Sequence, residues 1–124
     1  NLWNASLPYA NLENADLTGA YLYYAYLYGA YLSEADLTGA DLEDAVLSYA
    51  DLTNASLNDA ELDDADLRYA DLINANLTGA YLENADLTGA DLTGADLTSV
   101  VWDWAICPDG TNAYYHEQNC ENSL

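Results

Sequence analysis

The stretch Ala85-Asp86-Leu87-Thr88-Gly89-Ala90-Asp91-Leu92-Thr93-Gly94-Ala95-Asp96-Leu97 repeats itself every five residues. Outward from it, Leu stands at 2, 7, 12 and every fifth position up to Leu97, twenty times in all. Ala stands at 5, 10, 15 and onward to Ala95, and Val100 takes the next slot. The unit Ala-x-Leu-x-x therefore fills residues 1–100 without an insertion, and periodicity of this kind decides the fold before any local propensity does. On an α-helix, five steps of about 100° advance each Leu by about 140° and scatter the leucines round the cylinder. On a straight strand, five steps of about 180° send successive leucines to opposite faces. A chain that bends inward once per repeat keeps them all on one side. Each Ala-x-Leu is then a short extended piece with Ala and Leu facing one interior, and the two residues after Leu form a corner.

The corner chemistry agrees. The second corner position holds Gly19, Gly29, Gly39, Gly79, Gly89 and Gly94, or Asn and Asp at Asn14, Asp44, Asn54, Asp59, Asp64, Asn74 and Asn84. These residues tolerate the positive φ that a type II turn requires there. Pro8 occupies the first corner position, where its fixed φ suits the turn. Tyr9, Tyr24, Tyr49, Tyr69 and Glu34 do not suit a left-handed backbone, so a different turn type is expected at those corners.

The repeat resembles that of the pentapeptide-repeat proteins, whose unit is Ala-(Asp/Asn)-Leu-x-x, as in Ala15-Asp16-Leu17-Thr18-Gly19 and Ala85-Asp86-Leu87-Thr88-Gly89. The resemblance covers residues 1–100. It implies an all-β fold, a right-handed quadrilateral β-helix with four repeats per coil and Leu and Ala stacked inside. About five coils at ~4.8 Å per coil make a rod of ~25–30 Å. The sequence itself supports twenty residues per coil through columns such as Thr18, Thr38, Thr78 and Thr98. Solenoid ends need covering, because open coil edges invite pairing with other chains.

Composition removes several functional classes. The chain has 124 residues, with 22 Asp and Glu against a single Arg and no Lys, a formal net charge of -21. That single Arg leaves almost nothing to neutralise phosphates, which argues against nucleic acid as a partner and against docking on an anionic membrane surface. A hydrophobic content of 52% excludes a solvated acidic tail. No apolar run approaches the ~20 residues that span a bilayer. No signal-like apolar stretch follows Asn1, and the expectation is that any targeting segment lies outside this sequence.

The Leu periodicity stops at Val101, which divides the chain into the repeat region 1–100 and a C-terminal capping segment 101–124. Val101-Trp102-Asp103-Trp104-Ala105-Ile106-Cys107 leads into Pro108-Asp109-Gly110-Thr111-Asn112, a turn by its Pro and Asp-Gly content. The segment reads as an apolar lid, with Trp102 or Trp104 over the last coil and a disulfide between Cys107 and Cys120; two free buried thiols are the alternative. The stretch from Cys107 to Asn112, closed by a second Cys, resembles the C-terminal tail of many bacterial, especially cyanobacterial, pentapeptide-repeat proteins. A disulfide implies an oxidising compartment, the periplasm or the thylakoid lumen.

Candidate sites are few. His116, the single histidine, lies near Cys107, Cys120 and Asp109, but Cys-x12-Cys lacks the paired spacing of zinc modules and a disulfide consumes both thiols. Asp109-Gly110-Thr111-Asn112 has part of a calcium loop without its remaining ligands. With twenty residues per coil, Glu43, Asp63, Glu83 and Asp103 stack in one column, flanked by Asp41 and Glu61 and by Asp44 and Asp64. Carboxylates ~5 Å apart repel unless screened or bridged, so this face is a weak calcium candidate set against a solvated face that keeps the rod soluble. No cofactor is expected. Tyr21, Tyr23, Tyr24, Tyr26, Tyr28 and Tyr31 make a band of outward positions on one coil, a candidate partner surface or a stabilising aromatic ladder. Tyr9, Tyr49 and Tyr69 share a corner column interrupted by Gly29.

No enzyme is read here: the interior is filled by Leu and Ala, and no Gly-x-Ser-x-Gly elbow serves a nucleophile. The expected role is a non-catalytic structural or protein-interaction module, extracytoplasmic and monomeric, with an unidentified protein partner. The alternative is a DNA-mimicking inhibitor of a DNA-binding enzyme such as gyrase, because some relatives of the resembled family act so. The Cys-bracketed tail and the Leu at every central position depart from those inhibitors.

Overall fold

The computed structural model describes residues 1–115 and Cys120; His116 and Glu117 lie outside the described residues. Parallel bridges join residues twenty apart, from Ser6↔Tyr26 through Asp86↔Ile106, one in every repeat. The backbone donors of a repeat can be followed in full. The x-position N–H donates to an Ala carbonyl of the preceding coil (Tyr26 N to Ala5 O, 2.8 Å), and the Leu N–H to the x carbonyl of the next coil (Leu7 N to Tyr26 O, 2.8 Å). The second corner N–H also reaches the next coil (Tyr9 N to Tyr28 O, 2.9 Å), and the following Ala closes the turn onto Leu (Ala10 N to Leu7 O, 3.2 Å). The first corner N–H is the remaining donor, and the x side chain takes it. Asp86 Oδ1 accepts from Thr88 N at 2.9 Å, Asp36 Oδ1 from Thr38 N at 3.0 Å and Asn76 Oδ1 from Thr78 N at 3.0 Å. That is the physical reason for Asp or Asn between Ala and Leu. Pro8 and Pro108 follow the non-Asx positions Ser6 and Ile106 and have no N–H to place.

The corners correct one sequence expectation. Tyr9, Tyr24, Glu34, Tyr49 and Tyr69 adopt the same left-handed backbone as Gly and Asn, with φ between 57° and 62°. Any other turn would break two hydrogen bonds at each corner, for example Tyr49 N to Arg68 O and Ala50 N to Leu47 O, both 3.0 Å. The strain of ~1–2 kcal/mol per residue is smaller than the loss of both bonds together with the register of the coil.

The interior is dry and repetitive: the leucines from Leu22 to Leu87 are fully buried, and the alanines between them nearly so. Leu2, Leu7, Leu12 and Leu17 of the first coil are only partly covered.

The backbone pattern also continues past the last Leu. Val101 bridges Tyr81 and Ile106 bridges Asp86, while Trp102 and Cys107 take the two Leu slots and Ala105 the Ala slot, all buried. Beyond Cys107 the chain reverses: Gly110 N donates to Cys107 O, and Cys107 N to Thr111 O at 2.7 Å. Gly110 takes the φ of +82° that a hairpin with a bulged third residue demands. Asn112 then pairs antiparallel with Ile106, and a 3-10 turn spans Ala113–Tyr115. No described helix is long and apolar enough to cross a membrane.

Candidate interaction surface

Because Leu and Ala fill the inside, the described carboxylates, phenols and the guanidinium of the repeat region stand on the outside. Twenty residues make one turn with four bridges, so successive repeats face four sides. One side carries Asp41, Glu43 and Asp44, then Glu61, Asp63 and Asp64 directly below, then Glu83 and Asp103. The column Glu43, Asp63, Glu83, Asp103 is in register, shown by Asp44 N donating to Asp63 O at 3.0 Å and Asp64 N to Glu83 O at 2.7 Å. Asp63 spends one carboxylate oxygen on Glu83 N, 2.8 Å away. Partial burial, and after it the charges of Asp44, Asp41, Asp63 and Asp64, push the Glu43 carboxyl up from its ordinary value. Among the described residues, no three His, Cys, Asp or Glu side chains are grouped so as to hold a metal ion.

The next side is different. Its outward residues run Ser6, Pro8, Tyr9; Tyr26, Tyr28, Gly29; Val46, Ser48, Tyr49; then Asp66, Arg68, Tyr69. The rings form one network across four coils. Tyr28 meets Tyr9 edge-on at 5.6 Å, Tyr26 in parallel at 6.1 Å and Tyr49 at 5.5 Å, and Tyr49 stacks on Tyr69 at 5.1 Å. Four of the five rings stay about half in solvent, Tyr9 at 62% and Tyr49 at 54% among them, while Tyr28, at the junction, is partly buried. Gly29 makes room for one of them, since a Cβ there would stand 2.7 Å from the Tyr9 ring. Arg68 forks onto Asp66 through Nε and Nη2, both at 2.7 Å, with Asp86 3.9 Å from Nε. That fork holds the Asp66 carboxyl below its ordinary range.

The six tyrosines of the second coil are thereby divided. Tyr26 and Tyr28 join the vertical network with Tyr9, Tyr49 and Tyr69. Tyr21, Tyr23 and Tyr24 stand on the acidic side, where Tyr23 and Tyr24 pack at 4.1 Å, and Tyr31 stands on the third side. Hydrogen bonding with Tyr23, and then with Asp44, raises Tyr24 above the usual phenol range. The corner column of Tyr9, Tyr49 and Tyr69 was legible in the sequence; what sequence reasoning missed is that Tyr28, one position before Gly29, bridges the gap between Tyr9 and Tyr49.

At the C-terminal end Cys107 and Cys120 form a disulfide, their Cα atoms 5.2 Å apart. Trp102 fills the interior, whereas Trp104 stays half exposed at a corner, stacked on Tyr114 at 4.4 Å with its carbonyl accepting from Asn112 Nδ2.

The family model for pentapeptide repeats matches residues 1–33, 25–64 and 60–98. Among solved structures, HetL, a pentapeptide repeat protein involved in heterocyst differentiation regulation from the cyanobacterium Nostoc sp. strain PCC 7120, is 37% identical. It superposes with a TM-score of 0.80, covering 90% of this chain and 61% of HetL. A pentapeptide repeat protein from the Arabidopsis thaliana thylakoid lumen is 35% identical with a TM-score of 0.53, covering 81% of this chain and 66% of its own. The chain thus spans under two thirds of the length of either relative. No curated protein sequence matches it. The unbroken Ala-x-Leu register, the bridges twenty residues apart and the family model together place this chain in the pentapeptide repeat family.

Proposed function

We propose that this chain is a non-catalytic protein-interaction module, a rigid acidic solenoid that acts as a monomer outside the cytoplasm. The observation that carries this reading is the contrast between a sealed interior and a differentiated exterior, with carboxylates concentrated on one side and solvent-exposed tyrosines on the next. A filled Leu and Ala core offers no cavity for a substrate, whereas rigid aromatic rings supply contact area at low entropy cost. The Cys107–Cys120 disulfide and the thylakoid-lumen relative both support an oxidising compartment.

Two experiments test it. Cross-linking the folded protein in an extract of its own compartment should give a discrete protein adduct; recovery of the uncross-linked chain alone would overturn the reading. Thiol trapping directly from cells should leave Cys107 and Cys120 unalkylated, and alkylation of both would move the protein to a reducing compartment. The second reading, a DNA-mimicking inhibitor, rests on the charge of -21 and the aligned carboxylate columns. A gyrase supercoiling assay decides between the two: no inhibition is expected, and inhibition at low micromolar concentration would make the acidic side the functional one.

A further inference from the structure

The tyrosine side begins with three coils of uncharged outward residues on a molecule of net charge -21. Its borders are acidic at the level of Tyr49 and Tyr69, whereas Asn4 and Tyr24 on one edge and Asn11 and Tyr31 on the other flank the first two coils. Asp44 and Asp64 stand in the corner column on one edge, and Asp51 and Asp71 in the column on the other. Asp51 and Asp71 each engage only Oδ1 in the corner turn, accepting from Thr53 N at 3.0 Å and Ile73 N at 3.2 Å. Face-to-face pairing of two copies would press these carboxylate borders together, and acidic partners meet the same repulsion. The charge complement is a cationic partner whose cations tolerate lying on aromatic rings. Guanidinium does this better than ammonium, being planar, weakly hydrated and able to fork onto a carboxylate. The chain shows such a group in place: Arg68, on this same side, forks onto Asp66 next to the ring column.

We propose that the tyrosine side is a docking surface for an arginine-rich protein segment, with guanidinium groups lying on the Tyr9, Tyr28 and Tyr49 column and, at the level of Tyr49, reaching the aspartates at both borders. The proposal rests on the interaction-module reading and adds to it a surface and a partner chemistry.

The variants that test it stay within the alphabet of the repeat. Tyr9→Asn and Tyr49→Asn keep a corner residue that accepts positive φ, as Asn14 and Asn54 do, and Tyr28→Thr matches Thr18 and Thr38. Asp51→Asn and Asp71→Asn retain the Oδ1 acceptor of the turn, as Asn76 does. The probes are a synthetic peptide of alternating Arg and Ala and its Lys counterpart, titrated calorimetrically at physiological salt, with circular dichroism confirming that each variant is folded. The Arg peptide should bind the unmodified protein at least tenfold more tightly than the Lys peptide, and the triple tyrosine variant should lose at least tenfold. The double aspartate variant should weaken Arg-peptide binding as well. Equal affinity for the two peptides, or an unchanged affinity in the tyrosine variant, would reduce the attraction to general charge and overturn the proposal. Absence of binding to either peptide would overturn it too. If the cross-linked adduct in the extract survives in the tyrosine variant, the surface is wrong while the interaction-module reading stands.

Discussion

The left-handed corner is the unit of residue-scale specificity. Each side chain at that position leans over the same corner of the next coil, which makes glycines inequivalent. Gly19 has φ +60° and open space around a would-be Cβ, whereas Gly89 has φ +73° and lies beneath Tyr69, whose ring carbons would be 2.6 Å away. Gly19→Ala should cost ~1 kcal/mol of backbone strain, and Gly89→Ala distinctly more, because the Tyr69 ring must leave its seat. Thermal denaturation of the pair checks the order, and equal losses would show that the ring gives way freely. Titration acts on the same turns. Asp36, Asp91 and Asp96 are held below the usual carboxylate range, first by the hydroxyl of the Thr two residues on and then by its backbone N–H. Their contribution is present above the ordinary carboxyl pKa and is lost as pH falls through the lowered one. Glu43 works in the opposite sense, since its raised pKa makes ionisation unfavourable in the fold and protonation recovers stability on the way down from neutral. The melting temperature should therefore rise between neutral pH and about 5 and fall below about 3.5. A monotonic profile would contradict this assignment.

At the scale of the coil, stability is nearest-neighbour. Leu52 is fully buried in a central coil, and Leu52→Ala should cost ~2–5 kcal/mol in chemical denaturation. Leu2→Ala should cost less, because Leu2 is covered from one side only. The C-terminal element depends on its staple. The disulfide links residues 13 apart in sequence and anchors the chain beyond the hairpin to an inward slot of the solenoid. Cys120→Ser should remove ~3 kcal/mol in the chain-entropy model. Hydrogen exchange should show the loss concentrated in the bonds around Trp102 to Ala113, leaving central coils such as that of Leu52 protected. Uniform loss of protection would mean that the cap and the solenoid unfold as one unit.

On the scale of the whole molecule, charge opposes the fold. With 22 carboxylates against one Arg, self-repulsion is a destabilising field that salt screens over ~10 Å at 0.1 M. The melting temperature should rise from low ionic strength to about 0.5 M NaCl, and a salt-insensitive value would show that carboxylate self-repulsion does not limit stability. The distribution of that charge bears on function. For the cationic partner proposed above, the side with Glu43 and Asp63 would supply long-range attraction, which affects on-rate, and the tyrosine side close contact, which affects residence time.

The solenoid was legible in the sequence because twenty leucines at a five-residue spacing admit only a chain that turns inward once per repeat. Both the turn after Cys107 and the stacking of Glu43, Asp63, Glu83 and Asp103 were legible for similarly local or periodic reasons, whereas the antiparallel pairing of Asn112 with Ile106 was not. The corners at Tyr9 and Glu34 were not, because intrinsic φ preference is a local property whereas the turn there is held by hydrogen bonds to residues nineteen further on. Nor was the continuation through Trp102 and Cys107, where the inward slots remain but the residue type changes. The division of the tyrosine band also belongs to tertiary structure. Residues adjacent along the chain face different sides, and residues twenty apart touch, so only the closed coil decides which rings form one surface.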